Sequence, residues 1–277
     1  MTLPNFLIIG APKAGTTSLY RYLCQHPDVF MSPVKEARYY WREGVAQGRV
    51  HIHTREAYER LFDGATSERA IGEASPQYLN SLTAPERIAA DLPEAKLIVS
   101  LRNPAERAYS SYLGWLRGAE ERRSADEALR PGSYYFDTSL YHAALSRYFA
   151  RFARERVKVI LFDDLTANPR AVVRDLLEFL EVDPAFEIDT ATRHNRATAP
   201  RSIILNEVIY RSGRAIHGIL PARIRNTGLT ARVQRFFLRS PAPLPASIRQ
   251  RLIEQFRDDV GETSALIGRD LSSWLQP

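Results

Sequence analysis

The sequence predicts an α/β fold, a three-layer sandwich around a central parallel sheet, and three observations carry that prediction. Apolar runs of strand length occur at Phe6–Ile9, Lys96–Arg102 and Val157–Phe162. Each is followed by residues with helical apolar spacing, the alternation that a parallel βαβ sheet requires. The second run is apolar along nearly its whole length, which suits a central strand covered on both faces. A glycine-containing loop joins the first run to the first helical pattern.

That first junction is the most informative stretch. Phe6–Ile9 leads into Gly10-Ala-Pro-Lys-Ala-Gly15 and then into Thr16, Thr17 and Ser18. This is the strand, loop and helix order of a phosphate cradle. Glycines at 10 and 15 permit close backbone approach, and the amides of Gly15, Thr16, Thr17 and Ser18 stand as donors at a helix N-terminus. The glycine spacing matches the G-x-x-x-x-G-K-[ST] loop of nucleoside triphosphatases. Here Thr16 takes the place of the lysine, and a lysine sits inside the loop at Lys13.

Leu19 and Leu23 continue one helical face, and His26-Pro27-Asp28 stops it because proline cannot continue a helix. Cys24, the single cysteine, reads as a buried thiol on that helix and cannot form an internal disulfide. Val29–Met31 reads as a short extended piece. In Ser32–Trp41 one acid, Glu36, stands among basic and aromatic residues. It either pairs with Lys35 or Arg38 on a solvated turn or serves chemistry beside the phosphate loop. His53–Phe62 reads as an amphipathic helix, with His51 and His53 as surface residues. Neither paired cysteines nor H-E-x-x-H occur, so no metal motif is present.

Ala70–Tyr78 reads as a strand running into a turn, and Pro85–Asp91 as a helix. After Arg102, the residues Asn103, Pro104 and Glu106 supply three helix-start signals together. Arg102 therefore falls at a strand's carboxyl end, where ligand crevices of open parallel sheets lie, and Ser110 falls two turns into the next helix. The plain alternatives are a structural ion pair for Arg102 and an ordinary small helix residue for Ser110.

Gly118–Thr138 reads as an insertion over the cleft or a loop-bearing excursion. Leu140–Phe152 reads as a helix, and Val172, Val173, Leu176, Leu177 and Leu180 form a core stripe. Arg193–Arg201 is a basic loop. Ser202–Arg239 has helical apolar spacing with seven arginines against one acid, Glu207. That basic stretch, about 202–240, is a candidate lid, acceptor surface, dimer contact or membrane-surface helix, with a solvated face as its plain alternative. Pro245–Leu266 is a helix with Ile248, Leu252, Phe256 and Val260 at i,i+4 spacing.

A chain of 277 residues with 44% apolar and 25% charged residues is long enough for one large α/β domain, and a single domain over 1–277 is expected. The +6 net charge favours anionic ligands without singling out nucleic acid. No run approaches a membrane span, no leader pattern precedes the first strand, and one cysteine fits a cytoplasmic location.

Three spaced motifs together resemble the PAPS-dependent sulfotransferases, above all the glycosaminoglycan-type branch and its bacterial relatives. They are Pro12-Lys-Ala-Gly-Thr-Thr-Ser-Leu19, Lys35-Glu36 before aromatics, and Leu101-Arg-Asn-Pro-Ala-Glu-Arg-Ala-Tyr-Ser110. The likeness runs in order through about residues 5 to 200, and Gly268–Trp274 also looks like the family's ending. It implies a P-loop-like sulfotransferase fold and PAPS (3′-phosphoadenosine-5′-phosphosulfate) as cofactor, with no metal required. By the same resemblance Lys13, Ala14, Gly15, Thr16, Thr17 and Ser18 hold the 5′-phosphosulfate, and Arg102 and Ser110 hold the 3′-phosphate. Glu36 corresponds to the catalytic base, with Lys13 assisting. Arg196 and Arg201 lie where relatives close on the 3′-phosphate, although the loop departs from their glycine-rich pattern. Ala74 stands where glycosaminoglycan enzymes carry an acceptor-handling lysine.

The expected partner is a sulfate acceptor: a carbohydrate, a glycolipid or a small metabolite. No nucleic acid is expected, and residues 202–240 are the candidate contact for an anionic or membrane surface. The competing readings are a P-loop kinase or NTPase, from Gly10 and Gly15, and a non-enzymatic anionic-surface binder, from the arginine-rich stretch.

Overall fold

Five strands, all parallel, form the sheet that the apolar runs predict. In this computed structural model, residues 2–41, 52–191, 199–200 and 238–276 are described. The sheet strands are β1 (Phe6–Gly10), β2 (Val29–Met31), β3 (Ala70–Ala74), β4 (Lys96–Leu101) and β5 (Val157–Leu161), in the spatial order β2-β3-β1-β4-β5. β1 lies at the centre and every one of its residues is buried, as a strand covered on both faces should be. The chain separates into two compact units. The sheet belongs to the first, Met1–Asn103, Leu140–Asn195 and Asp258–Trp274.

Helix α1 (Thr16–Leu23) follows β1 and buries Leu19, Tyr20, Tyr22 and Leu23. Helix α9 (Pro169–Phe179) starts where Asn168 accepts a hydrogen bond from the Ala171 amide and Pro169 takes the first turn. Its stripe of Val173, Leu176 and Leu177 joins Phe6, Ile8, Leu19 and Ile98 in one core cluster. Burying a side chain of this size stabilises the fold by about 1.5–3 kcal/mol. The remaining helices of this unit are α2 (Arg55–Glu59), α3 (Ala84–Asp91), α7 (His142–Phe149) and α8 (Phe162–Ala167).

The sequence reading needs several corrections here. Cys24 is exposed rather than buried: it is the C-cap residue of α1, one position past the apolar face that ends at Leu23. The expected helix over 53–62 is a short α2 capped by Thr54, continued by a 3₁₀ turn over Arg60–Phe62. Phe162 starts α8 instead of ending β5.

The second unit comprises Pro104–Ser139, Arg196–Arg257 and Leu275–Pro277. Helix α4 (Pro104–Arg117) carries the fully buried Arg107, whose Nε donates to Ser139 Oγ at 2.8 Å. Its Nη2 donates to Tyr135 O at 2.7 Å and to Thr138 Oγ1 at 2.8 Å. One guanidinium thus fastens the 134–139 turn to α4. Residues 118–138 form two four-residue helices, α5 (Ala125–Ala128), with a complete Ser124/Glu127 capping box, and α6 (Tyr134–Asp137). Phe136 stacks on Phe256 with centroids 4.4 Å apart. Phe256 belongs to α10 (Ala246–Ile267).

Strands β6 (Ala199–Pro200) and β7 (Leu238–Arg239) pair antiparallel, so the last residues of the predicted basic helical stretch are strand rather than helix. Residues 201–237, with Arg201, and Arg196 lie outside the described residues.

Arg107→Ala removes these three hydrogen bonds and empties the buried space that the side chain fills. It should lower the unfolding free energy by about 3 kcal/mol or more, read from urea midpoints. Arg107→Lys should recover less than half of that, because an ammonium cannot reproduce the fork.

Candidate active site

Because the sheet is parallel, the carboxyl ends of β1, β3 and β4 share one edge. At the end of β1 the loop turns sharply: Lys13 has φ 71° and Gly15 φ 87° with ψ 5°, both left-handed. A Cβ on Gly15 would stand 2.8 Å from Leu165 Cδ2 and 3.0 Å from a Phe162 ring carbon, so the helix packs here only through the missing side chain. The amides of Gly15, Thr16 and Thr17 make no hydrogen bond among the described residues. They sit at the positive end of α1, a ready site for an anion. The Ser18 amide differs from expectation, since it donates to Gly15 O at 2.9 Å within the first helical turn. Lys13 is exposed and Ala14 is fully buried.

Strand β4 holds this loop in place. Ser100 O accepts from Ala11 N at 2.7 Å, and Ser100 Oγ donates to Ala14 O at 2.5 Å. Arg102, at the end of the same strand, donates from Nη1 to Lys13 O at 3.4 Å and lies over the Phe162 ring, 4.9 Å from its centroid. Lys13 and Arg102 are thereby neighbours on the sheet edge. Ser110 belongs to the second unit, buried on α4 one turn beyond Arg107.

Glu36 joins this edge through its backbone, whose amide donates to Ala74 O at the end of β3, 2.9 Å away. Its carboxylate is 30% exposed. Lys35 Nζ donates to Oε1 at 3.0 Å, while Arg38 Nη2 at 2.5 Å and Gln77 Nε2 at 2.8 Å both donate to Oε2. Burial disfavours the ionised form, but the Lys35 charge and the hydrogen bonds from Gln77, Arg38 and Lys35 outweigh it and hold the carboxyl down at about 2. Pairing with Lys35 and Arg38, the plain alternative, is therefore present together with the position beside the phosphate loop.

A magnesium-dependent NTPase would need an acid at a strand end, and the sequence offers only Asp163 and Asp164. Both have other partners: Asp163 accepts the Trp274 indole N–H at 2.7 Å, and Asp164 pairs with Arg269 at 2.9 Å.

Sequence reasoning did not single out Gln77, Ser100 or Glu73. Gln77 and Ser100 carry no local signal, but Glu73 is an acid inside an apolar strand. Glu73 is fully buried, and Ser75 Oγ donates to its Oε2 at 2.8 Å. Burial pushes its carboxyl up to about 7, against hydrogen bonding from Tyr78, Ser75 and Tyr58. A raised carboxyl keeps its proton in the folded state after the unfolded chain has lost it, so this group lowers stability as pH rises from about 4.5 to 7. Glu73→Gln should remove that slope. Its unfolding free energy should gain on the wild type by on the order of 3 kcal/mol across the interval, measured by urea denaturation at each pH.

Comparison with known proteins agrees with this geometry. The model of the sulfotransferase family matches residues 4–187. A solved sulfotransferase from Alicyclobacillus acidocaldarius is 32% identical with a TM-score of 0.76, and the alignment covers 100% of both chains. The membrane-associated sulfotransferase kil1 of Dictyostelium discoideum is 37% identical over 126 residues, covering 42% of this chain and 25% of that protein. Mouse carbohydrate sulfotransferase 15 is 27% identical over 254 residues, covering 67% of this chain and 45% of the relative. This chain thus spans a quarter to under half of those curated relatives. With the family model covering well over half of its length and the same fold beneath, the chain belongs to the sulfotransferase family.

Proposed function

We propose that the chain transfers a sulfuryl group from PAPS to a hydroxyl or amine of an acceptor, with Glu36 as base. One observation supports this above the others: loop amides that are unpaired among the described residues, Lys13, Arg102 and an ionised Glu36 share the carboxyl edge of one parallel sheet. When bound, the cofactor supplies an activated sulfur centre whose bond to the 5′-phosphate breaks as the acceptor oxygen or nitrogen attacks in line.

Lys13 and the amides of Gly15, Thr16 and Thr17 neutralise charge gathering on the departing phosphate, while Ala14 and Ser18 complete the loop's frame. The resemblance assigns Arg102, Ser110 and Arg201 to the 3′-phosphate, a contact that raises affinity and excludes ATP. The acceptor's proton passes to Glu36 Oε1, whose hydrogen-bond partner among the described residues is Lys35 alone, whereas Oε2 already takes two donors. A carboxylate held at about 2 is a weak base toward a resting alcohol. It is sufficient once the attacking oxygen bonds to sulfur, because that oxygen's proton then becomes strongly acidic. Proton transfer is therefore late, and positioning dominates the rate.

The relatives' names speak of carbohydrate and heparan sulfate, and a carbohydrate, glycolipid or small hydroxylated metabolite is the acceptor class we assign.

Adenosine 3′,5′-bisphosphate without magnesium, at about 100-fold over its Kd, should raise the thermal midpoint by about 5 °C or more. Stabilisation by ATP with magnesium alone would overturn the reading. Glu36→Gln should keep this binding and lose about 10²- to 10⁴-fold in turnover with a saccharide panel and labelled PAPS. Arg102→Ala should instead weaken the bisphosphate about 10- to 100-fold by calorimetry. Since Glu36 stays ionised down to about pH 2, kcat/KM should show no falling limb from it above about pH 5.

A further inference from the structure

The turn that presents Glu36 is strained. Glu36 has φ 65° and Arg38 φ 57°, left-handed values that residues with a side chain seldom adopt and that persist only where the surroundings enforce them. Two hydrogen bonds from the segment after β3 do the enforcing. The Glu36 amide donates to Ala74 O at 2.9 Å, and the Arg38 amide donates to Ser75 Oγ at 3.0 Å.

The second of these depends on a residue that the reaction does not touch. A serine hydroxyl is one donor and an acceptor, and its rotor must be fixed before a lone pair faces a given amide. Ser75 is fully buried, and its proton goes to Glu73 Oε2 at 2.8 Å. Glu73 is itself fully buried and cannot reach a substrate. From Ser75 the path continues through Arg38, which is 3% exposed, and returns by its Nη2 to Glu36 Oε2 at 2.5 Å. We infer that Glu73 is a positioning residue: its buried carboxyl, acting through the Ser75 hydroxyl, holds the strained 36–38 turn and with it the Glu36 carboxylate. Its effect on catalysis rests on the reading of Glu36 as base, whereas its effect on the turn does not.

Groups facing Glu73 are the phenols of Tyr58 and Tyr78, with Lys35 acting from further off. None of these reaches the Arg38 amide, whose hydrogen bond goes to Ser75. The Glu73–Ser75 pair is thus the specific device.

The titration and binding arms of the test need no acceptor. Carbon-13 NMR titration of the Glu36 carboxyl should place its midpoint about one pH unit higher in Ser75→Ala and in Glu73→Leu than in the wild type, because Arg38 no longer holds Oε2. The Kd for adenosine 3′,5′-bisphosphate should stay within about twofold in both, because the loop amides are unchanged. Turnover, read as adenosine bisphosphate released from PAPS in the presence of the saccharide panel as acceptor, should fall about 10- to 100-fold in each single variant. The same substitutions should cause no further loss in a Glu36→Gln background. A Glu36 titration unmoved in folded Ser75→Ala overturns the inference, even if Glu73→Leu fails to fold. Equal losses with and without Glu36 would also sink it, since they mark a purely structural role. Native turnover in Glu36→Gln alone removes the base reading, while a shifted titration would still uphold the hold on the turn.

Discussion

The arrangement depends on how β4 grips the loop that leaves β1. Ser100 takes the Ala11 amide with its carbonyl and gives its hydroxyl proton to Ala14 O, so two bonds from one residue pin the start and end of the turn. Those bonds use backbone groups that do not face an anion. The amides of Gly15, Thr16 and Thr17 are left as the donors at the α1 terminus. Arg102, two residues beyond Ser100, is carried to the same place by the same strand, and Phe162 at the head of α8 supports its guanidinium. Gly15 lets Phe162 and Leu165 close against the loop. One strand therefore positions the cradle and its neighbouring cation together.

Glu36 solves an opposed problem. Cations suited to a phosphosulfate also depress any carboxylate beside them, and a carboxylate depressed too far makes a poor base. The division of labour between its two oxygens answers this. Oε2 takes Arg38 and Gln77 and fixes orientation, and Oε1, with the half-buried Lys35 as its partner among the described residues, is on the proposed reading the oxygen on which a proton arrives. An isolated ion pair on a solvated turn would give neither the split nor the fixed direction.

Much of the sheet was legible in the sequence because its strands are apolar on both faces and a helix start is signalled at Asn103-Pro104, where α4 begins. The strand, loop and helix order around Gly10 and Gly15 was legible for a similar reason, and the structure adds that both glycines also make room for packing, against Leu79 and against Leu165 and Phe162. What stayed hidden depends on distant pairings. Gln77 meets Glu36 across 41 positions, and Ser100 meets Ala14 across 86, and neither residue type announces such a partner. Cys24 was misread because a helical stripe indicates which face is buried but not the residue at which the face ends.

Three non-glycine residues near the sheet edge, Lys13, Glu36 and Arg38, adopt left-handed backbone, each at a cost of about 1–3 kcal/mol. A fold whose net stability is on the order of 5–15 kcal/mol tolerates such costs only where the turns are tied to its most rigid part. Both turns are tied there. The Lys13 loop is bonded to Ser100 on β4, and the Glu36 turn to Ala74 and Ser75 where β3 ends, and these two strands flank the fully buried β1. On the proposed reading the strain and the rigidity are parts of one design, because the proposed base and phosphate cradle keep a constant separation only if neither turn can relax independently of the sheet.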